Sequence, residues 1–133
     1  LNAPSATQQG TVDATAYTGI QFYAIINTDT TGARLTVANL YTDPIGGMCK
    51  TNPAPNDKTA CFDHPGAQLM ISTTWMKYQI RFDSLTQLGF GNKSPLGAQF
   101  PKNAITLLKW DIGIPQNGPT APWVLWIDDL TFY

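Results

Sequence analysis

Along most of this chain apolar and polar residues alternate with a period of two, in short runs separated by Gly, Pro, Asn, Asp and Ser. That is the pattern of half-buried β-strands. Residues 18–26 (TGIQFYAII) put Ile20, Phe22 and Ala24 on one face and Gln21, Tyr23 and Ile25 on the other. A DTTG turn follows, and residues 33–40 then set Leu35 and Val37 inward against Arg34 and Thr36. Residues 68–72 form a short strand with Leu69 and Ile71 inward. The cleanest alternation is WMKYQIRF, 75–82, in which Met76, Tyr78, Ile80 and Phe82 face a core and Lys77, Gln79 and Arg81 face water. Residues 105–114 place Leu108, Trp110 and Ile112 against Lys109 and Asp111. Residues 1–11 carry no alternation and read as an irregular lead-in, and 41–65, with both cysteines and several prolines, reads as one long loop.

The last run, WVLWIDDLTFY (123–133), breaks phase. Leu125 and Ile127 share one parity, while Leu130 and Phe132 have the other, so a regular strand cannot bury both pairs in one core. A β-bulge at Asp128–Asp129 repairs the conflict by admitting one extra residue. Such a bulge also turns carboxylate and carbonyl oxygens toward one point, the hard environment that calcium prefers.

Composition agrees with strands. The chain of 133 residues has no glutamate and much Thr, Gly, Pro and aromatic content, poor material for helices. With 43% hydrophobic residues, no internal repeat and no shift in composition, it reads as one domain over 1–133. A net charge of −1 without a basic cluster excludes the electrostatic footprint of a nucleic-acid binder. No apolar stretch is long enough to insert in a membrane. Beginning at Leu1, the sequence reads as a processed product or a piece of something longer.

Cys49 and Cys61 enclose a polar, proline-rich loop. The expectation is a disulfide and an extracellular, secreted or cell-surface location. The rival is a metal site, for which His64 is the one histidine on offer.

The segments DATAYTGIQFYAI, TTWMKYQIRFDSLTQLGFG, ITLLKWDIG and WVLWIDDLTFY, with CFDHPG before a short strand, resemble bacterial secreted domains of the galactose-binding-like β-jelly-roll type. Carbohydrate-binding modules of polysaccharide-degrading enzymes are among them. The resemblance runs from about residue 12 to residue 133. It implies a jelly-roll β-sandwich, a glycan ligand and a structural Ca²⁺ with Asp128 as a ligand. Domains of this type begin with strands, one bearing an acidic calcium ligand, that have no counterpart before GIQFYA here. The resemblance therefore implies a sandwich incomplete at its N-terminus, completed by a separate N-terminal segment or a neighbouring chain.

Asp128 and Asp129 invite comparison with the paired carboxylates of glycosidases, but adjacent strand residues point to opposite faces. His64 beside Asp63 resembles a base oriented by an acid, yet sequence neighbours rarely have that geometry and no nucleophile motif such as G-x-S-x-G is present. Asn92-Lys93-Ser94 fits a glycosylation acceptor but is followed by Pro95 and is discounted. Trp75 and Trp110 are assigned to packing.

Sugar binding would show itself in outward aromatics flanked by planar polar groups. Tyr23, Lys109 and Asp111 point away from the predicted core, and Arg34 and Trp126 join them. If their strands are neighbours in one sheet, the five make a binding face. The expectation is a non-catalytic carbohydrate-binding module for polysaccharide or cell-wall glycan, with no organic cofactor. The alternative is a structural domain of an extracellular assembly whose sandwich another chain completes. A glycan hydrolase ranks third.

Overall fold

A computed structural model of the chain describes residues 10–27, 32–113 and 123–133. Residues 1–9 of the lead-in, the first three residues of the DTTG turn and Ile114 lie outside these. Among the described residues six strands are present: β1 (Gly19–Ile26), β2 (Ala33–Asn39), β3 (Gly66–Leu69), β4 (Met76–Arg81), β5 (Ile105–Ile112) and β6 (Leu125–Phe132). Four 3-10 turns and no α-helix complete the described residues. The protein is all-β. The described strands form two antiparallel three-stranded sheets, ordered β4-β1-β6 and β3-β2-β5, and among the described residues they close no barrel.

Alternation decides which side chains go inward. Ile20, Phe22, Ala24 and Ile26 of β1 are buried and meet Ala33, Leu35 and Val37 of β2 and Leu69 of β3 in one apolar cluster shared by both sheets. Phe22 is its pivot, stacked on Tyr78 of β4 at 5.6 Å between ring centroids and set edge-on to Trp110 of β5 at 5.4 Å. Burying one such aromatic stabilises by about 1.5–3 kcal/mol. Trp110 thus packs as its parity requires.

β4 departs from expectation at one end. Tyr78 and Ile80 pack against the core and Phe82 is buried in a 3-10 turn, but Met76 is half exposed. β4 is an edge strand with Met76 at its tip, so alternation turns that side chain inward where little core remains to receive it. β3 begins and ends earlier than predicted; Ile71 is still buried, although it lies beyond the strand.

The phase break of β6 is a bulge where expected. Tyr23 pairs with Asp128 and Gln21 with Thr131, so Phe22 faces two residues, Asp129 and Leu130. Asp129 sits at φ 50°, the left-handed conformation of bulges and tight turns. Leu125 and Ile127 before the slip and Phe132 after it all reach the common core.

The long segment 41–65 is tied down at several points. The Cys49–Cys61 disulfide is formed, with Cα atoms 5.0 Å apart. Buried Asp63 accepts the backbone N–H groups of Leu88 (3.0 Å), Gly89 (2.8 Å) and Gly91 (3.0 Å). Asn92 Nδ2 donates to the Tyr41 carbonyl at 2.8 Å, which commits the amide of the discounted glycosylation motif.

Candidate functional site

The outer face of β4-β1-β6 presents a regular grid. Registers place Lys77, Tyr23 and Asp128 side by side on β4, β1 and β6. One rung away stand Gln79, Gln21 and Thr131; on the other side of Tyr23, Ile25 pairs with Trp126. These positions share a face because residues two apart along a strand do, and Asp128 and Thr131 keep that face across the bulge. Tyr23 is 40% exposed and Trp126 47%.

Chemically this is an aromatic ring flanked by a cation and an anion, with a second ring beside it. Gln79 Nε2 donates to Gln21 Oε1 at 2.9 Å, linking the exposed amide of Gln79 to the half-buried Gln21 across the strands. Trp75, which the sequence assigned to packing, is instead 52% exposed; it precedes β4, and as the neighbour of inward-turned Met76 its parity is that of this outer face. Lys77 and Gln79 were legible as outward residues, but nothing in the sequence said that β4 lies beside β1.

The five residues grouped by sequence do not share a surface. Tyr23 and Trp126 lie on β4-β1-β6, whereas Arg34, Lys109 and Asp111 lie on β3-β2-β5. This corrects the condition on which the grouping stood, that their strands be neighbours in one sheet. Arg34 pairs with Gln68 and Asp111 across its strands, and Thr36 pairs with Lys109. Lys109 Nζ and Asp111 Oδ1 form an ion pair at 2.5 Å. The Arg34 guanidinium lies over Gly66, where a Cβ would stand 3.0 Å from Nε and 2.5 Å from the Leu35 carbonyl oxygen, and its Nη2 donates to the Thr86 carbonyl at 2.5 Å. Arg34 is a strut as well as a surface cation.

His64 is half-buried near that second face, its Nδ1 2.9 Å from Thr42 Oγ1. Burial holds its pKa below the ordinary imidazole value; Asp43, Asp111 and Asp63 oppose that shift, and Lys109 adds to it. The Asp63 carboxylate is aimed at three backbone amides, so it serves as a tie between loops.

Asp128 and Asp129 are both exposed, and Asp128 Oδ1 accepts the Asp129 N–H at 2.8 Å. Calcium takes six to eight oxygens. Among the described residues no group of three or more His, Cys, Asp or Glu side chains is placed to hold a metal ion, and backbone carbonyls and water are the other oxygens calcium accepts.

A different feature lies where β5 and β6 run along the same side of the molecule. A half-open cavity of about 460 Å³ is lined there by Val12, Tyr17, Leu107, Leu108, Leu130 and Phe132, without a charged residue. In comparison with known proteins, the chain matches no family model, no curated protein and no solved structure.

Proposed function

We propose that the protein is a non-catalytic, extracellular carbohydrate-binding module of the jelly-roll sandwich type, taking polysaccharide or cell-wall glycan on the outer face of β4-β1-β6. The supporting observation is the placement of Tyr23 between Lys77 and Asp128 with Trp126 alongside. A pyranose has an apolar face that stacks on a flat ring and a rim of hydroxyls that seek charged and amide groups. The grid offers both, preformed on rigid strands, so little ordering is needed on binding. Such an open face binds weakly, and linkage to other modules raises the effective affinity.

Electrophoresis of the purified chain through gels containing soluble polysaccharides tests this. Retardation by a glycan, lost in Tyr23→Ala and weakened in Trp126→Ala but kept in Arg34→Ala, is the expected result. Retardation that survives Tyr23→Ala and Trp126→Ala while Arg34→Ala or Asp111→Ala removes it would transfer the site to the other sheet.

The charge-free cavity between β5 and β6 favours a second reading, a structural role in an extracellular assembly. Among the described residues β6 pairs with β1 alone. A strand from another segment or chain would fill the cavity and complete the sandwich by edge pairing. Copurification of such a chain, released by Leu107→Asp, with no glycan retarding the domain, would favour it.

A further inference from the structure

We infer that the hydrogen-bonded amide pair Gln21–Gln79 is the hydroxyl-reading element of the β4-β1-β6 face, and that the ligand it selects is an uncharged pyranose polymer presenting vicinal diols. This deepens the glycan reading above and rests on it. Gln79 Nε2 donates to Gln21 Oε1. That bond uses one donor and one acceptor and leaves Gln79 Oε1 and Gln21 Nε2 without a further partner among the described residues. The pair therefore keeps a free carbonyl oxygen on Gln79 and free N–H groups on Gln21, at register partners of two neighbouring strands. Exchanging oxygen and nitrogen in both amides gives the same offer with the two residues interchanged.

A vicinal diol is the matching partner. One hydroxyl donates to the free carbonyl while the adjacent hydroxyl accepts from the free amide, and each keeps a second site for its neighbour. The mutual bond also holds both amides in place, so fewer rotamers are lost on binding. Gln21 lies two residues from Tyr23 on β1, and Gln79 two residues from Lys77 on β4. At about 3.3 Å per residue, the pair sits roughly 7 Å along the strands from the aromatic rung. A polymer lying along the sheet would stack one sugar on Tyr23 and present the next to the amides.

Charge decides against an acidic polymer. Lys77 and Asp128 offset each other across Tyr23, and Arg81 is held by Asp83 through two bonds of 2.9 and 2.6 Å. Asp129 adds a further exposed carboxylate. A uronic-acid chain would meet no surplus positive charge on this face.

The test uses the whole chain in affinity gels holding mixed-linkage β-glucan, galactomannan or polygalacturonate. A neutral polymer is expected to retard the protein and polygalacturonate is not. Gln21→Ala and Gln79→Ala should each weaken that retardation about tenfold. The double variant should lose little more than either single, because the two amides act as a unit. Neither substitution falls in the buried core, and thermal melting checks that the three variants stay folded. Full affinity in the double variant together with loss in Tyr23→Ala would overturn the amide assignment and leave the glycan face standing. Unchanged affinity in Tyr23→Ala would remove the face itself. Retardation by polygalacturonate alone, or by none of the three, overturns the inference.

Discussion

Asp128 of β6 stands directly opposite Tyr23 of β1, and it is the last residue of β6 before the register slips by one. The same irregularity that lets Phe132 rejoin the core thus fixes the neighbour of the aromatic ring at the centre of the proposed site. Fold and site are coupled through Asp129.

That coupling makes the bulge residue a sensitive probe. At φ 50°, Asp129→Gly relieves backbone strain and should leave stability within about 1 kcal/mol of the parent, whereas Asp129→Val should cost about 1–3 kcal/mol. Deleting Asp129 would put Leu130 and Phe132 on the wrong face and should prevent cooperative folding. Urea unfolding followed by tryptophan fluorescence distinguishes the three; a deletion variant as stable as the parent would show that the phase of β6 does not matter.

Asp63 holds two loops together with three backbone hydrogen bonds made at a buried carboxylate. Asp63→Ala strands those donors and should lower stability by about 3 kcal/mol or more. Asp63→Asn keeps one acceptor oxygen and should fall between. Hydrogen exchange at Leu88, Gly89 and Gly91 should accelerate in both variants before exchange in β1 does.

The pKa of His64 in the folded protein is depressed below its ordinary value of 6.5, chiefly by burial of the charged ring. The unfolded chain then holds the proton more tightly, so stability rises with pH across this window. The contribution of His64 is present above 6.5, declines as pH falls through that value and is gone below the folded-state pKa. An NMR titration should place the ring's midpoint under 6.5, and His64→Gln should flatten stability against pH in that window. A midpoint at or above 6.5 would contradict the burial argument.

The Cys49–Cys61 disulfide closes a loop that lies outside all six strands. Replacing both cysteines with serine should cost about 2–3 kcal/mol, the loop-closure term for a short loop. The β-sheet circular dichroism should persist at low temperature, since no strand pairing depends on the bond.

Much of the fold was legible one segment at a time. Tyr23 and Ile20 could be placed on opposite faces of β1 from parity alone, and the conflict between Ile127 and Phe132 located the bulge without any partner strand in view. Met76 is more exposed than its parity suggests because parity gives a direction and says nothing of whether a strand lies at a sheet's edge, whereas assigning Trp75 to packing goes against its own parity, which is that of the exposed outer face. The site was half legible: Tyr23 and Trp126 belong together, while Arg34, Lys109 and Asp111 were joined to them across a boundary that no local pattern marks.

Local pattern determined the β-strands, the inward and outward direction of the residues in each and the irregular step at Asp128–Asp129, because backbone pleat and side-chain hydrophobicity act within a few residues. Which strands become neighbours was decided only by tertiary structure. Strand pairing joins β1 to β4 and β6, distant segments with similar alternation, and the choice among such partners depends on packing both sheets against one core. Lys77 and Gln79 came to stand beside Tyr23 and Gln21 through that choice alone.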